Sequence, residues 1–115
     1  MKEYLLIFRS NTAAYSNPNS EELAKSMEQW KNWIGGIAEQ GKFNAGQPLT
    51  QDGKVMRGAG NITDAPFAEG KEVVNGYLLI KAADYTEACK LSAGCPIFQD
   101  AGGSVEVREI NTMVM

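Results

Sequence analysis

Five side chains in one stretch have the types and spacing to do chemistry: Arg57, Asp64, Glu69, Lys71 and Tyr77. Asp64 can act as a general base or anchor a polar ligand if the following Pro66-Phe67 shields it, because desolvation raises a carboxyl pKa toward a useful value. An aspartate in a loop also accepts backbone N–H bonds in an Asx-turn, which is its commoner role. Arg57, at a strand end, can clamp a carboxylate through its planar guanidinium, although most such arginines only face solvent. Glu69 and Lys71 can contact a substrate, or they can form a solvated loop pair worth under ~1 kcal/mol. Tyr77 can turn its hydroxyl into a pocket or simply pack. The site expected from these residues is a cleft between a sheet and a long loop, with Asp64 catalytic and Arg57, Glu69, Lys71 and Tyr77 binding the ligand.

What is missing narrows the chemistry further. The 115 residues include no histidine, which removes the commonest acid/base group near neutral pH, the commonest transition-metal ligand and any Ser-His or Cys-His nucleophile pair. No metal and no cofactor are expected. Cys89 and Cys95 have the spacing of neither a C-x-x-C redox motif nor a zinc knuckle and read as free thiols. A net charge of −3 disfavours nucleic acid, whose binding needs clustered Lys and Arg to displace counterions. The apolar run near the N-terminus is too short for a signal peptide's core, and no stretch approaches the ~20 residues of a membrane span. A cytoplasmic protein without a membrane or nucleic-acid partner is the expectation.

The elements that must position these groups can be read from periodicity. The chain is near the usual size of one domain, and 43% hydrophobic with 22% charged residues is an ordinary globular composition, so a single domain over 1–115 is expected. Tyr4 to Phe8 is an unbroken apolar run, the pattern of a central strand buried on both faces. Asn19 or Ser20 then caps a helix whose first turn carries Glu21 and Glu22. Leu23, Met27, Trp30, Ile34 and Ile37 recur on one face, Trp33 widens it, Gly35-Gly36 suggests close packing, and Gly41 ends the helix. Phe43–Leu49 and Lys54–Arg57 read as a hairpin turned by Asp52-Gly53, followed by a long loop over 58–72.

Val73 to Ala82 is a second doubly apolar strand. Asp84 and Glu87 form a capping box for a second helix through Leu91, closed by Gly94 and Pro96. A last strand alternates Val105 and Val107 with Glu106 and Arg108, and Ile110 breaks the phase. The order β-α-β-β-α-β predicts an α+β, ferredoxin-like fold with both helices on one face of an antiparallel sheet. The other face is then apolar and bare, so a homodimer formed sheet to sheet is expected.

Asp64-Ala65-Pro66-Phe67-Ala68-Glu69-Gly70-Lys71-Glu72, followed by Asn75-Gly76-Tyr77 and the strand into Ala82, resembles the signature of YCII-related proteins of the DGPF branch. That signature reads approximately Asp-Gly-Pro-Phe-Ala-Glu-x-Lys-Glu, then glycine and an aromatic residue at a strand start. The resemblance extends to the Tyr-Leu-Leu-Ile-Phe beginning and the Val105–Arg108 end. It implies a dimeric α+β barrel and no established reaction. Ala65 stands where the motif has glycine, so the turn there is made differently. Some members carry a His-Asp pair proposed as catalytic, and this chain has no histidine to supply it.

Three functional classes remain open. The first is a small metal-free enzyme acting on a small polar molecule through a carboxylate, by analogy with lactone isomerases of the same barrel fold. The second is a cofactor-free oxygenase using a tryptophan with Asn44 or Asn75. The third is a non-catalytic module that binds a small ligand or a protein.

Overall fold

The computed structural model describes residues 1–11, 20–50, 52–65 and 73–112. Its elements are β1 (Lys2–Ser10), α1 (Ser20–Glu39), β2 (Phe43–Pro48), β3 (Gly53–Met56), β4 (Ile62–Ala65), β5 (Val73–Ala82), α2 (Tyr85–Ser92), a 3-10 turn (Pro96–Gln99) and β6 (Ser104–Glu109). β2, β5, β1 and β6 form one antiparallel sheet in that spatial order. With α1 and α2 this is the expected α+β, ferredoxin-like arrangement, with β1 in the interior of the sheet.

The expected hairpin of β2 with its successor does not form. β2 pairs with β5, and β3 instead pairs with β4 as a separate two-stranded ribbon inserted between them. The turn chemistry explains the difference. Positive φ, which glycine supplies without steric cost, occurs at Gly58 (φ 80°) and not at Gly53. The ribbon therefore turns at Gly58, where the Arg57 N–H donates to the Asn61 carbonyl at 2.8 Å. β5, ten residues long, meanwhile offers β2 a full edge. Part of the expected loop, Ile62–Ala65, is thus a strand.

β1 and β5 bury alternate residues. Tyr4, Leu6 and Phe8 join Leu78, Ile80, Ala82, Ile37, Ala88, Cys95 and Ile97 in the core beneath the helices. Leu5, Ile7, Tyr77 and Leu79, paired in register, stand half-buried on the opposite face, which no element of the chain covers among the described residues. At the edge of that face the Glu106 carboxylate accepts from Arg9 at 2.6 Å and from Arg108 at 3.1 Å. The two guanidiniums, Arg108 foremost, hold the carboxyl below its ordinary pKa.

α2 begins as predicted: the Glu87 N–H donates to the Asp84 side chain at 2.9 Å, and the Glu87 carboxylate accepts from the Ala83 N–H at 2.9 Å. That backbone bond, aided by Lys42 at 3.1 Å, lowers the Glu87 pKa. Both cysteines are free. Burial pushes the Cys95 thiol up to about 12. The Tyr4 ring, fully buried, packs edge-on against Tyr85 at 5.0 Å, and its hydroxyl has no hydrogen-bond partner among the described residues. Gly35 and Gly36 do not mark close packing, since a Cβ at either would meet nothing within 4 Å.

Candidate functional site

The apolar stripe of α1 does not lie flat on the sheet. Leu23, Trp30 and Ile34 are only half-buried and Met27 is 59% exposed, because this part of the helix stands over a cleft of about 730 Å³. The opposite wall is the β2–β5–β1 surface, contributed by Gly46, Pro48, Gly76, Leu78 and Phe8. The floor depends on two glycines at a sheet irregularity. A Cβ on Gly46 would strike the Leu78 side chain and come within 2.8 Å of the Tyr77 carbonyl, and one on Gly76 would come within 2.9 Å of the Gln47 carbonyl. Any side chain at either position would force β2 and β5 apart.

The direction of α1 fixes which end of the cleft is which. The helix returns through Gly41 to Phe43, paired with Ile80 and so level with Tyr4. Its first turn therefore lies toward the other end of the sheet, where Ser10, Asn75 and Pro48 sit, since twenty helical residues span ~30 Å, about the length of β1. At that end the cleft lining becomes polar. Asn75 donates to the Ser10 hydroxyl at 2.7 Å, Glu22 comes from α1, and Asp100 comes from the segment between the 3-10 turn and β6.

Asp100 is held by its backbone. Its N–H donates to the Ile97 carbonyl at 3.0 Å, its carbonyl accepts from Gly103 at 2.9 Å, and Ala101 accepts from the Asn11 N–H at 2.9 Å. Gly102 (φ 70°) and Gly103 make this turn possible: a Cβ on the first would meet the Asn11 amide, and one on the second the Ile97 carbonyl. Asp100 lines the cleft as an exposed residue, and desolvation by the chain around it raises its carboxyl pKa above the ordinary value. Raised carboxyls in clefts are candidate acid/base groups.

The residues singled out from sequence are distributed differently. Asp64 lies on the ribbon, exposed, and its carboxylate takes the Lys54 ammonium across the β3–β4 pair. Arg57 sits at the ribbon's turn, also exposed. Neither lines the cleft. Tyr77 is among the residues that line the cleft, on the strand that floors it, although the alternation that buries Leu78 puts its side chain on the open face beside Ile7. Glu69 and Lys71, with most of the Asp64–Glu72 motif, fall outside the described residues. Of the two asparagines weighed for oxygenase chemistry, Asn75 reaches the cleft lining and Asn44 does not. No cluster of potential metal ligands occurs among the described residues.

Asp100 is the residue that sequence reasoning misses. Periodicity assigns the α1 stripe to the core and the Gly102-Gly103 pair to a plain turn; a tryptophan and a methionine on a helix face opposite small strand residues was the signal available.

The model of the YCII-related domain matches residues 4–114. The chain belongs to the YCII-related family. A search of curated proteins returned no match. The YCII-related domain thus spans both the sheet that floors the cleft and the inserted ribbon.

Proposed function

We propose that this YCII-related chain binds a small, mainly apolar molecule in the cleft between α1 and the sheet, and that Asp100 exchanges a proton with it as a metal-free acid/base. The observation that carries this reading is the cleft itself. Its volume lies in the range of small-molecule sites, its walls are mainly apolar, and three of its polar groups, Glu22, Asn75 and Asp100, lie toward one end. The raised Asp100 carboxyl supports the catalytic part; without it, the cleft describes a binding module.

The sequence of the Asp64–Glu72 segment supports the DGPF branch; of the described residues singled out around it, Asp64 and Arg57 do not line the cleft. The bare apolar centre of the open face, Leu5, Ile7, Tyr77 and Leu79, supports a homodimer formed there. Free thiols at Cys89 and Cys95 fit the reducing cytoplasm. Among the described residues no helix is long and apolar enough to cross a membrane.

The test is a fragment screen by NMR that follows the Trp30 indole resonance. Binders that shift it, and lose affinity in Trp30→Ala, support the cleft; binders that respond instead to Asp64→Ala and Arg57→Ala move the site to the ribbon. Asp100→Asn should retain neutral binders and abolish conversion of any compound the protein transforms.

A further inference from the structure

We infer that the cleft takes a flat aromatic molecule of one or two fused rings, laid between the Trp30 indole and the floor at Gly46 and Gly76. This rests on the cleft being the ligand site, and on the residues of its apolar middle.

The floor is low because of which residues meet across the strands. Gly76 and Leu78 face the helix side of β5, and residues directly opposite on antiparallel strands share a face. Gly46, paired with Leu78, and Pro48, paired with Gly76, therefore lie on that side, as does Phe8, the partner of Gly76 on β1. Of these neighbouring positions two have no side chain and a third has only a proline ring. Elsewhere the same side of the sheet raises Tyr4, Leu6 and Ile80 into the core. Below Trp30 and Met27 the floor at the two glycines is main chain, and the space that side chains fill elsewhere is a slot.

The roof is aromatic and held from behind. Trp33 donates its indole N–H to the Leu91 carbonyl at 3.0 Å. It meets Trp30 at 5.7 Å and Phe8 at 5.9 Å, and Trp30 meets Phe8 at 5.0 Å, all edge to face. Trp30 stays half-buried, and the rest of its ring borders the cleft. Met27, one turn earlier on the same wall and 59% exposed, sets a polarizable thioether beside it. A planar ring in the slot extends this cluster and gains more than the apolar area it buries. A saturated ring of the same skeleton buries at least as much apolar area, but it is thicker and has no π face.

Titration of the full chain at neutral pH with naphthol and decahydronaphthol, hydroxylated at the same ring position, tests this by calorimetry and NMR. Both are uncharged and share one carbon skeleton. Naphthol should bind about fivefold more tightly, the worth of one favourable aromatic contact. Its ring current should displace the Met27 methyl resonance, which the saturated alcohol should leave nearly in place. Trp30→Leu keeps an apolar wall without a ring, so the two affinities should converge there, the dispersion of the variant's spectrum confirming that it is folded. Equal or tighter binding of decahydronaphthol by the parent, a Met27 methyl unmoved by naphthol, or a preference unchanged in folded Trp30→Leu overturns the aromatic class; a shifted Trp30 resonance in those cases leaves the cleft standing as a site. If neither alcohol binds, or neither shifts the Trp30 indole resonance, both readings fall.

Discussion

The four-stranded sheet and the β3–β4 ribbon are both antiparallel, but they relate to the rest of the chain in opposite ways. The sheet buries one side of every interior strand beneath α1, α2 and the 3-10 turn. The ribbon is four residues on each strand, with Met56 and Ile62 paired and 60% and 57% exposed. Two isolated strands of that length are marginal without cover. The chemical consequence is visible at two aspartates: the Asp64 carboxylate on the ribbon meets water and Lys54, whereas Asp100, on a clamped turn beside an apolar cleft, has its protonation shifted. A charged residue in a loop acquires a distinctive chemistry when the fold brings apolar surface to it.

The contrast can be broken by substitution. Leu6→Ala, in the covered core, should cost about 3 kcal/mol, and Ile62→Ala on the ribbon under about 0.5 kcal/mol, both read by urea denaturation. Equal losses would mean that the ribbon is packed as firmly as the sheet. Gly46→Val should cost roughly 2 kcal/mol through overpacking against Leu78 and should also reduce binding in the cleft; retention of both would show that β2 can shift away from β5. Asp64→Ala should change stability by less than about 0.5 kcal/mol, as exposed ion pairs do, and a larger loss would assign the ribbon a structural role.

The smallest effects concern protons. Glu87 and Glu106 have lowered pKa values, so their contributions to stability are present above the ordinary carboxyl range and fade as pH falls through the lowered values. Asp100 has the opposite sign: its raised pKa favours the fold at low pH, and that contribution is lost as pH rises through the raised value. Glu106→Gln should flatten the acid side of the stability profile, and Asp100→Asn should remove the opposing component. Identical profiles for the two variants would contradict the assigned directions. Tyr4→Phe removes a buried hydroxyl without a partner among the described residues, so its Tm should equal or exceed that of the parent.

Much of the fold was legible because the strong patterns were local or doubly apolar. Tyr4–Phe8 and Tyr77–Ile80 announce interior strands, the Leu23–Ile37 stripe a helix, and Asp84 with Glu87 a cap. The pairing of β2 was not legible. Asp52-Gly53 has the composition of a tight turn, and only the competing edge of β5 and the positive φ of Gly58 decide against it. The site was less legible still. Arg57, Asp64 and Tyr77 stand out by residue type near a motif, whereas Asp100 becomes special only when Asn11, Gly102 and Gly103 fold its turn toward α1. That closure joins residues from the two ends of the chain, which no local pattern encodes.

Cys95 has a use beyond packing. A thiol held near 12 inside the core is almost wholly protonated at neutral pH and shielded from alkylating reagents, while exposed Cys89 is accessible to them. The folded chain should therefore take up one label, and the second only when the core opens. The chain carries its own stopwatch for global unfolding: under a pulse of iodoacetamide, the delay between the first and second mass increments measures how often the region around Cys95 comes apart.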